Sequence, residues 1–310
     1  MEKAKILFYG GVCWVLLSLI FVVHAGVKED FFQAGLGAKS AALGGTAFAF
    51  GSDSLFSNPA GLAVTPEKEF SCGYKSNFDG LVDTQHLSYA QPWQRGAWGV
   101  GLVYLNNVGA DKTVVNEFDR PEVIGSFGEN QTGLSLAYAH PVFGDSAVGL
   151  GLRYYQDILD EERASAYGLF AGYIKKINKN LLVGLSVNNI ALTQSLRSEI
   201  TWSTGHVDYF PLRCSLSSIF LTNFLSNQTE FVGDVHFAEV NEQHEMATFY
   251  SLGALMWLAP QVFNIRCGFA DESITVGAGL RAFGFGLDYA FISHRTLGPS
   301  HLLSTRLEIG

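Results

Sequence analysis

A short glycine-rich stretch near the start of the chain carries the residue types of a phosphate-binding loop. Gly35, Gly37, Lys39 and Ser40 stand in a suitable order, with backbone amides to hold phosphate oxygens and a lysine to neutralise them. Such a loop needs glycine directly before its lysine, and Ala38 occupies that position. We therefore do not predict nucleotide binding, and the sequence predicts no cofactor.

Two groups of histidine, serine and acidic residues could in principle carry other chemistry. A serine hydrolase needs a third group to orient its base, and none is evident beside His294, Ser300 and His301. The second group does not have the HExxH spacing of a zinc site, and it comprises His236, Glu239, Glu242, His244 and Glu245. We interpret it as a solvated loop. The sequence therefore predicts neither an enzyme nor a metal site.

Successive segments in which apolar and polar residues alternate carry six charged residues at their polar positions, namely Arg213, Asp234, Arg266, Arg281, Asp288 and Arg306. Both signs are present, whereas an ion-conducting pore more often shows one dominant sign. We expect these side chains to face a barrel lumen and to pair with one another and with a plug. A site for a ligand carboxylate is the alternative.

The elements that would position these charges are β-strands. From Glu67 onward the chain reads as about fourteen segments of roughly ten residues with period-2 alternation. Phe263, Ile265 and Cys267, for example, alternate with Asn264 and Arg266. The polar face carries glycine and isolated charges, which suits a crowded lumen better than bulk water. The pattern predicts an all-β fold, a transmembrane antiparallel barrel of about fourteen strands.

The spacing between the segments supports a membrane barrel independently. Connections after odd-numbered segments include the two longest, Asn107–Asn130 and Ala191–Asp208, whereas those after even-numbered segments are short. Long loops on one side and tight turns on the other are typical of outer-membrane barrels. Both termini of the chain then lie on the short-turn, periplasmic side.

The first residues have the features of an export signal. Lys3 and Lys5 precede the apolar run Ile6–Val23, and a small-residue cleavage site ends at Ala25. We therefore divide the chain into a signal peptide at 1–25, a plug segment at 26–66 and a barrel at 67–310. The net charge of −9 makes nucleic acid an improbable partner, and outer-membrane lipid is the expected one.

The stretch Gly35–Ala63 is small, glycine-rich and nearly free of charge. Such a segment cannot build its own core, and its small residues suit close backbone contact inside a narrow lumen. We expect it to form the plug, with Gly37, Gly44, Gly45, Asn58 and Pro59 as its key residues. Asn58 followed by Pro59 is a helix-start signal, and Ala41–Phe50 is compatible with one short strand.

Several motifs together carry a family resemblance. They are Gly35–Ala49, Asp53–Ala63, Gly184–Ile190, Leu287–Phe291 and Leu297–His301. With them the chain resembles PorV/PorQ-type outer-membrane proteins, relatives of the FadL-like long-chain fatty-acid transporters. The resemblance implies a fourteen-stranded barrel with an N-terminal hatch, assembled by the barrel-assembly machinery. One departure is the ending Leu307–Gly310, which lacks the terminal aromatic residue that this machinery usually reads.

Two functions from different classes follow from that resemblance. The first is passage or binding of hydrophobic small molecules, which the FadL-like likeness implies. The second is docking of secreted proteins or scaffolding in type IX secretion, which the PorV/PorQ-type likeness implies. A continuous apolar path from the loops into the lumen would favour transport, whereas exposed apolar loop tips would favour docking.

Overall fold

A computed structural model describes residues 32, 35–191, 198–205, 207–239, 246–270 and 273–310. The predicted signal peptide at 1–25 lies outside these residues. Within them the chain is all-β apart from a few short helices, and no helix in this part is long and apolar enough to cross a bilayer.

The described part of the chain contains sixteen strands. They are β1 Lys68–Asn77, β2 Val82–Trp93, β3 Gly96–Val115, β4 Pro121–Val142, β5 Ser146–Leu159, β6 Glu162–Asn178, β7 Leu181–Ala191, β8 Ser198–Trp202, β9 Val207–Phe210, β10 Arg213–Phe224, β11 Asn227–Glu239, β12 Met246–Ala259, β13 Phe263–Ala270, β14 Ser273–Ala282, β15 Phe285–Ser293 and β16 Ser300–Ile309.

Fourteen of these strands form a closed antiparallel barrel, and the other two form the hairpin β8–β9. Neighbouring barrel strands pair in chain order, with β7 pairing to β10 across the hairpin. The wall closes where β1 pairs with β16, from Lys68 opposite Ile309 to Ser76 opposite His301. The prediction of an all-β barrel of about fourteen strands is confirmed.

Side chains alternate across the wall as the period-2 pattern requires. In β13, Asn264 and Arg266 are buried on the inner face, whereas Phe263, Ile265 and Phe269 are exposed on the outer face. The outer face of the barrel therefore presents large apolar side chains to its surroundings. The inner face carries the glycines, serines and charges.

The two rims differ in the length of their connections. On one rim the described turns take two or three residues each, at 94–95, 143–145, 179–180, 225–226, 260–262 and 283–284. The other rim carries the hairpin β8–β9 and the far ends of β3 and β4. The predicted long loop Asn107–Asn130 is wrong, because β3 and β4 continue pairing as far as Val115 opposite Pro121. Its β-branched residues favour strands, and the pairing continues past two register shifts, between Asn107 and Ala110 and between Lys112 and Thr113.

Residues 35–66 precede the barrel and form three short helical pieces, which we call the N-terminal segment. They are α1 Ala38–Ala42 and the 3-10 helices Gly51–Phe56 and Pro59–Val64. The predicted strand Ala41–Phe50 is wrong, because Ala41 and Ala42 belong to α1. The chain then turns at Gly44 and Gly45, whose φ angles are 80° and 71°.

Candidate functional site in the barrel interior

An apolar cluster joins three parts of the molecule inside the barrel. Phe32, Leu36 and Phe56 come from the chain before the barrel, whereas Val103, Tyr155, Ala164 and Ala166 come from the inner wall. Ile200 and Phe210 of the hairpin β8–β9 complete the cluster, with Trp202 packed against them. The cluster is thus continuous from the long-loop rim to the N-terminal segment. It is one of four buried apolar clusters among the described residues, and the only one of these that includes the hairpin β8–β9.

Hydrogen bonds hold the hairpin end of this cluster. The Tyr155 hydroxyl donates to Asn189 Oδ1 at 2.6 Å, and Asn189 Nδ2 donates to the Pro211 carbonyl oxygen at 2.9 Å. The Tyr155 and Phe210 rings lie 4.0 Å apart between centroids. The chain leading into β10 is therefore fixed to the wall at the point where the apolar cluster begins.

Arg153 lies beside the cluster and is 0% exposed. Its guanidinium carbon lies 4.1 Å from the Phe170 ring centroid and 4.6 Å from that of Phe32, within the range of cation–π attraction. Nη2 donates to the Leu55 carbonyl oxygen at 3.3 Å, whereas Nε and Nη1 have no hydrogen-bond partner among the described residues. Arg153 thus joins the wall to the N-terminal segment and keeps unused donors.

Close backbone contact holds the N-terminal segment at Gly44. A Cβ atom there would lie 2.8 Å from the Phe269 carbonyl oxygen and 3.0 Å from that of Leu252, and its φ is positive. The Gly44 amide donates to Thr275 Oγ1 at 3.2 Å, and the Thr275 hydroxyl donates to the Ala42 carbonyl oxygen at 3.0 Å. Only glycine suits this position, because a side chain would meet backbone and strain the turn.

The other predicted plug residues also make specific contacts. Asn58 caps the helix that starts at Pro59, with its Oδ1 accepting from the Ala60 amide at 3.1 Å, and its Nδ2 donates to the Leu185 carbonyl oxygen at 3.1 Å. A Cβ atom on Gly172 would collide with Asn58 Oδ1. A Cβ atom on Gly37 would lie 3.1 Å from Asp53 Oδ2.

Charged contacts join the N-terminal segment to strands β1 and β16 of the wall. Arg306 Nη2 lies 2.8 Å from Asp53 Oδ2, and Arg306 Nε lies 3.6 Å from Glu69 Oε1. Glu69 Oε1 in turn accepts from the Ser52 amide and hydroxyl, both at 2.7 Å. One arginine and one glutamate of the wall therefore hold the helix that contains Asp53.

The remaining predicted lumenal charges have different surroundings. Arg266 Nη2 lies 2.5 Å from Asp288 Oδ1, and both side chains are buried. Asp234 accepts from the Ser251 hydroxyl at 3.2 Å. The Arg281 guanidinium lies over the Trp257 ring at 5.4 Å, and Arg213 is half-buried at the start of β10. The structure does not gather these six charges into one site.

Burial changes the acid–base properties of the N-terminal segment. Burial lowers the pKa of the Lys39 ammonium to about 8, against the opposing effect of the Glu230 carboxylate. For Asp53, burial raises the pKa, but the Arg306 guanidinium outweighs it and keeps the pKa below its usual value. A cleft of about 30 Å³ lies between the segment and the wall, and its lining includes Lys39, Phe48, Phe50, Glu230 and Arg306. The cleft has room for about one water molecule.

The residues considered for catalysis do not form an accessible site. His294 Nε2 lies 3.0 Å from Ser300 Oγ, and its Nδ1 lies 3.5 Å from Ser273 Oγ. Ser300 is 0% exposed and accepts a hydrogen bond from the Phe78 amide, so its hydroxyl serves the turn after β1. Within the described ranges no group of His, Cys, Asp and Glu has the arrangement of a metal site, and residues 240–245 lie outside them.

Two parts of this interior were missed by the sequence reasoning, the hairpin β8–β9 and Arg153. Period-2 alternation along β5 could have identified Arg153, because Arg153 shares the inner face of this strand with Gly149, Gly151 and Tyr155. The hairpin has only five and four residues in its strands, so alternation gives little signal there.

Comparisons with known proteins show a similarity of fold to several solved structures. No protein-family model and no curated protein match this sequence. The structure is similar to the Pseudomonas putida toluene transporter TodX, with a TM-score of 0.68 and 15% identity over 91% of this chain and 100% of that chain. The relation is one of fold.

Two further solved structures are similar. The Ralstonia pickettii toluene transporter TbuX has a TM-score of 0.66 and 12% identity, covering 91% of this chain and 100% of its own. A Pseudomonas aeruginosa FadL homologue has a TM-score of 0.61 and 12% identity, covering 93% and 100%. These likenesses support the FadL-like part of the resemblance at the level of the fold, and they give no support to the PorV/PorQ-type part.

Proposed function

We propose that this protein is a non-enzymatic outer-membrane barrel that passes or binds hydrophobic small molecules. In this proposal residues 1–25 are a signal peptide, residues 26–66 plug the lumen and residues 67–310 form the barrel. The similar solved structures include two named as toluene transporters and one named as a FadL homologue, which is consistent with such a role.

The outer face of the barrel supports a membrane location. Exposed side chains such as Phe70, Leu136, Leu185, Phe231 and Leu303 recur on successive strands around the wall. Soluble proteins rarely expose contiguous apolar surface of this extent, and a closed barrel leaves no unpaired strand edge in lipid. Lipid is the solvent that fits both features.

The apolar cluster inside the barrel is the observation that carries the transport proposal. It runs from the hairpin β8–β9 at the long-loop rim, past Tyr155 and Val103, to Phe56 of the N-terminal segment. These side chains are buried and pack against one another, so an apolar molecule that enters beside the hairpin would have to part them and would then be surrounded by apolar side chains. Beyond it the segment fills the space, so passage requires part of residues 35–66 to shift.

Uptake of 1-N-phenylnaphthylamine tests this proposal, because intact outer membranes exclude this apolar fluorescent probe. We expect bacteria that express the protein to take up the probe several-fold faster than cells with an empty vector. Val103→Gln should reduce uptake, because it places an amide in the middle of the path, whereas Phe118→Ser on the exposed hairpin should not. Equal uptake by expressing and control cells would contradict the proposal.

Docking of secreted proteins is a second candidate, favoured by one observation. The β3–β4 hairpin extends past the wall and exposes Val114, Val115, Phe118, Val123 and Ile124, with Phe118 81% exposed. This is the exposed apolar tip that a docking function would use. Removal of residues 110–126 should abolish docking and leave probe uptake intact if transport and docking are separate. Loss of secreted protein from the cell surface, with unchanged uptake, would favour docking.

A further inference from the structure

Three turns on the short-turn rim begin with an apolar residue whose side chain is fully or largely exposed. Phe143 is 101% exposed, Leu225 76% and Phe283 106%. Along the chain these turns alternate with turns that carry Gln94, Lys179 and Gln261. The rest of the described structure buries none of Phe143 or Phe283 and only a small part of Leu225, so these three side chains contribute little to packing of the barrel itself.

Two of the three apolar side chains occupy backbone conformations that ordinarily exclude them. Leu225 has a φ of 49° and Phe283 a φ of 54°, and the next residue in each turn also has a positive φ. Two-residue hairpin turns with two positive φ angles prefer Asn or Asp at the first position, and a bulky side chain there is a strained exception. Placing leucine and phenylalanine at these tips therefore costs local stability, and that cost calls for a compensating contact.

The apolar tips continue the apolar outer face of the barrel. Val142 precedes Phe143, Phe224 precedes Leu225, and Phe285 lies two residues after Phe283; all three nearby side chains are exposed. In the barrel order the tips lie between β4 and β5, β10 and β11, and β14 and β15. Successive tips along the chain are thus four strands apart, about 19 Å across the strands. Contacts spread around a rim in this way suit a surrounding layer rather than one compact protein partner.

We propose that Phe143, Leu225 and Phe283 insert into the phospholipid layer around the short-turn rim and anchor the barrel at a fixed depth. This inference rests on the proposed membrane location. Aromatic and aliphatic tips gain free energy when they leave water for the headgroup and acyl-chain boundary. That gain offsets the strain in the two turns and limits vertical movement of the barrel.

Tryptophan quenching tests the proposal in phosphatidylcholine vesicles whose acyl chains are brominated close to the glycerol. Phe143→Trp and Phe283→Trp are compared with Phe118→Trp, the same substitution on the hairpin that extends past the wall. The fluorescence of each introduced tryptophan is the difference between the variant and the parent protein. We expect this fluorescence to fall at least twofold in brominated lipid at positions 143 and 283, and to change little on addition of aqueous iodide. The emission added at 118 should show the opposite response. Iodide quenching at 143 and 283 equal to that at 118 would overturn the proposal.

The unsubstituted protein separates this test from a failure of the proposed function. Trp93 and Trp98 are partly exposed on the outer wall near the same rim, so brominated lipid must quench them in any inserted barrel. Quenching of these native residues without quenching at 143 and 283 rejects the anchor alone. If the native residues are not quenched either, the membrane location fails and the anchor fails with it.

Matched asparagine variants provide a second, independent measurement. The pair Leu225→Asn and Phe283→Asn is compared with the pair Gln94→Asn and Gln261→Asn, whose φ angles of 55° and 58° are nearly the same. Both pairs should be at least as heat-stable as the parent in detergent, because asparagine tolerates these turns and relieves the strain at 225 and 283. We expect only the first pair to insert into vesicles more slowly, by at least threefold. Equal insertion of both pairs would overturn the proposal.

Discussion

At the scale of single residues, glycine and asparagine positions decide how closely the N-terminal segment approaches the wall. Gly44 lies against two carbonyl oxygens of the wall, and Asn58 both caps a helix and donates to the Leu185 carbonyl oxygen. These contacts belong to the segment and are not part of the barrel's own strand pairing. Changes at these residues should therefore act on the segment first.

We expect Asn58→Ala to weaken the segment by at least the ~1 kcal/mol of a lost helix cap, and Gly44→Val to displace it. Both variants should fold as barrels but take up 1-N-phenylnaphthylamine at a changed rate. Ala63→Ser, at the half-buried end of the segment, is the control. Loss of folding in both variants, with no uptake phenotype, would assign residues 35–66 to the barrel's folding core.

Lys39 should make the docking of the segment depend on pH. Its pKa falls from 10.5 to about 8 on burial, so between these values a released segment binds a proton that the docked segment does not. Docking should therefore strengthen as pH rises from about 8 to 10.5. Hydrogen exchange of residues 38–45, corrected for intrinsic rates, should show increasing protection over this range. Lys39→Met should remove the dependence, and a dependence that persists would contradict the assignment.

At the scale of elements, each barrel strand presents one face to the outside and one to the interior. In β15, Leu287 and Tyr289 face outward, whereas Asp288 is buried against Arg266 of β13. The two faces therefore respond to different physical costs. A charge on the outer face would lose water to lipid, whereas the loss of one inner charge would leave its partner buried alone.

Leu287→Arg should reduce the fraction of protein that folds into lipid vesicles, because a cation on the lipid face costs roughly 2–4 kcal/mol near the midplane. Leu287→Ala should fold nearly as well as the parent, since it introduces no charge. Folded fractions measured by gel mobility check the prediction. Equal yields of both variants would mean that Leu287 does not face lipid.

Asp288→Leu should destabilise the barrel by about 3–5 kcal/mol, because it leaves Arg266 buried without its carboxylate. The double variant Arg266→Met and Asp288→Leu should recover much of that loss, since no uncompensated charge remains. Urea unfolding of the proteins in vesicles measures both. Additive losses in the double variant would show that the pair is not coupled.

At the scale of the whole molecule, closure of the sheet determines the stability of the wall. Pairing of β1 with β16 leaves no free edge in it, and the apolar outer face suits the proposed lipid surroundings. The N-terminal segment is joined to separate parts of this wall, to β14 by Gly44 and to β7 by Asn58. The molecule should therefore behave as one robust barrel with a separately adjustable interior.

The protein should show the heat-dependent gel mobility of a closed barrel and, in the proposed location, should fractionate with the outer membrane. An unheated sample should migrate faster than a boiled one, because the closed barrel resists unfolding by detergent. Recovery of the protein as a soluble periplasmic species would contradict the proposed location. A truncated protein that lacks β16 should lose the mobility shift, because the wall can no longer close.

The sequence by itself determined the elements whose signal is local. Period-2 alternation placed the fourteen barrel strands, and residues such as Ile265 and Arg266 were assigned to the correct faces. Alternation is a property of neighbouring residues, so it needs no knowledge of the partner strand. The same reasoning placed a helix start at Asn58 and Pro59, because a cap acts within one turn.

Only the tertiary structure decided the features that depend on distant residues. The strands continue through Asn107–Asn130 because β3 and β4 keep pairing with each other beyond the wall, with register shifts between Asn107 and Ala110 and between Lys112 and Thr113. Residues 41 and 42 are helical because the chain must then turn at Gly44 against the carbonyl oxygens of β12 and β13. The apolar cluster around Tyr155, and the place of Arg153 beside it, arise from residues up to 178 positions apart, from Phe32 to Phe210. Local patterns carry no information on such pairs, because closure of the barrel alone brings them together.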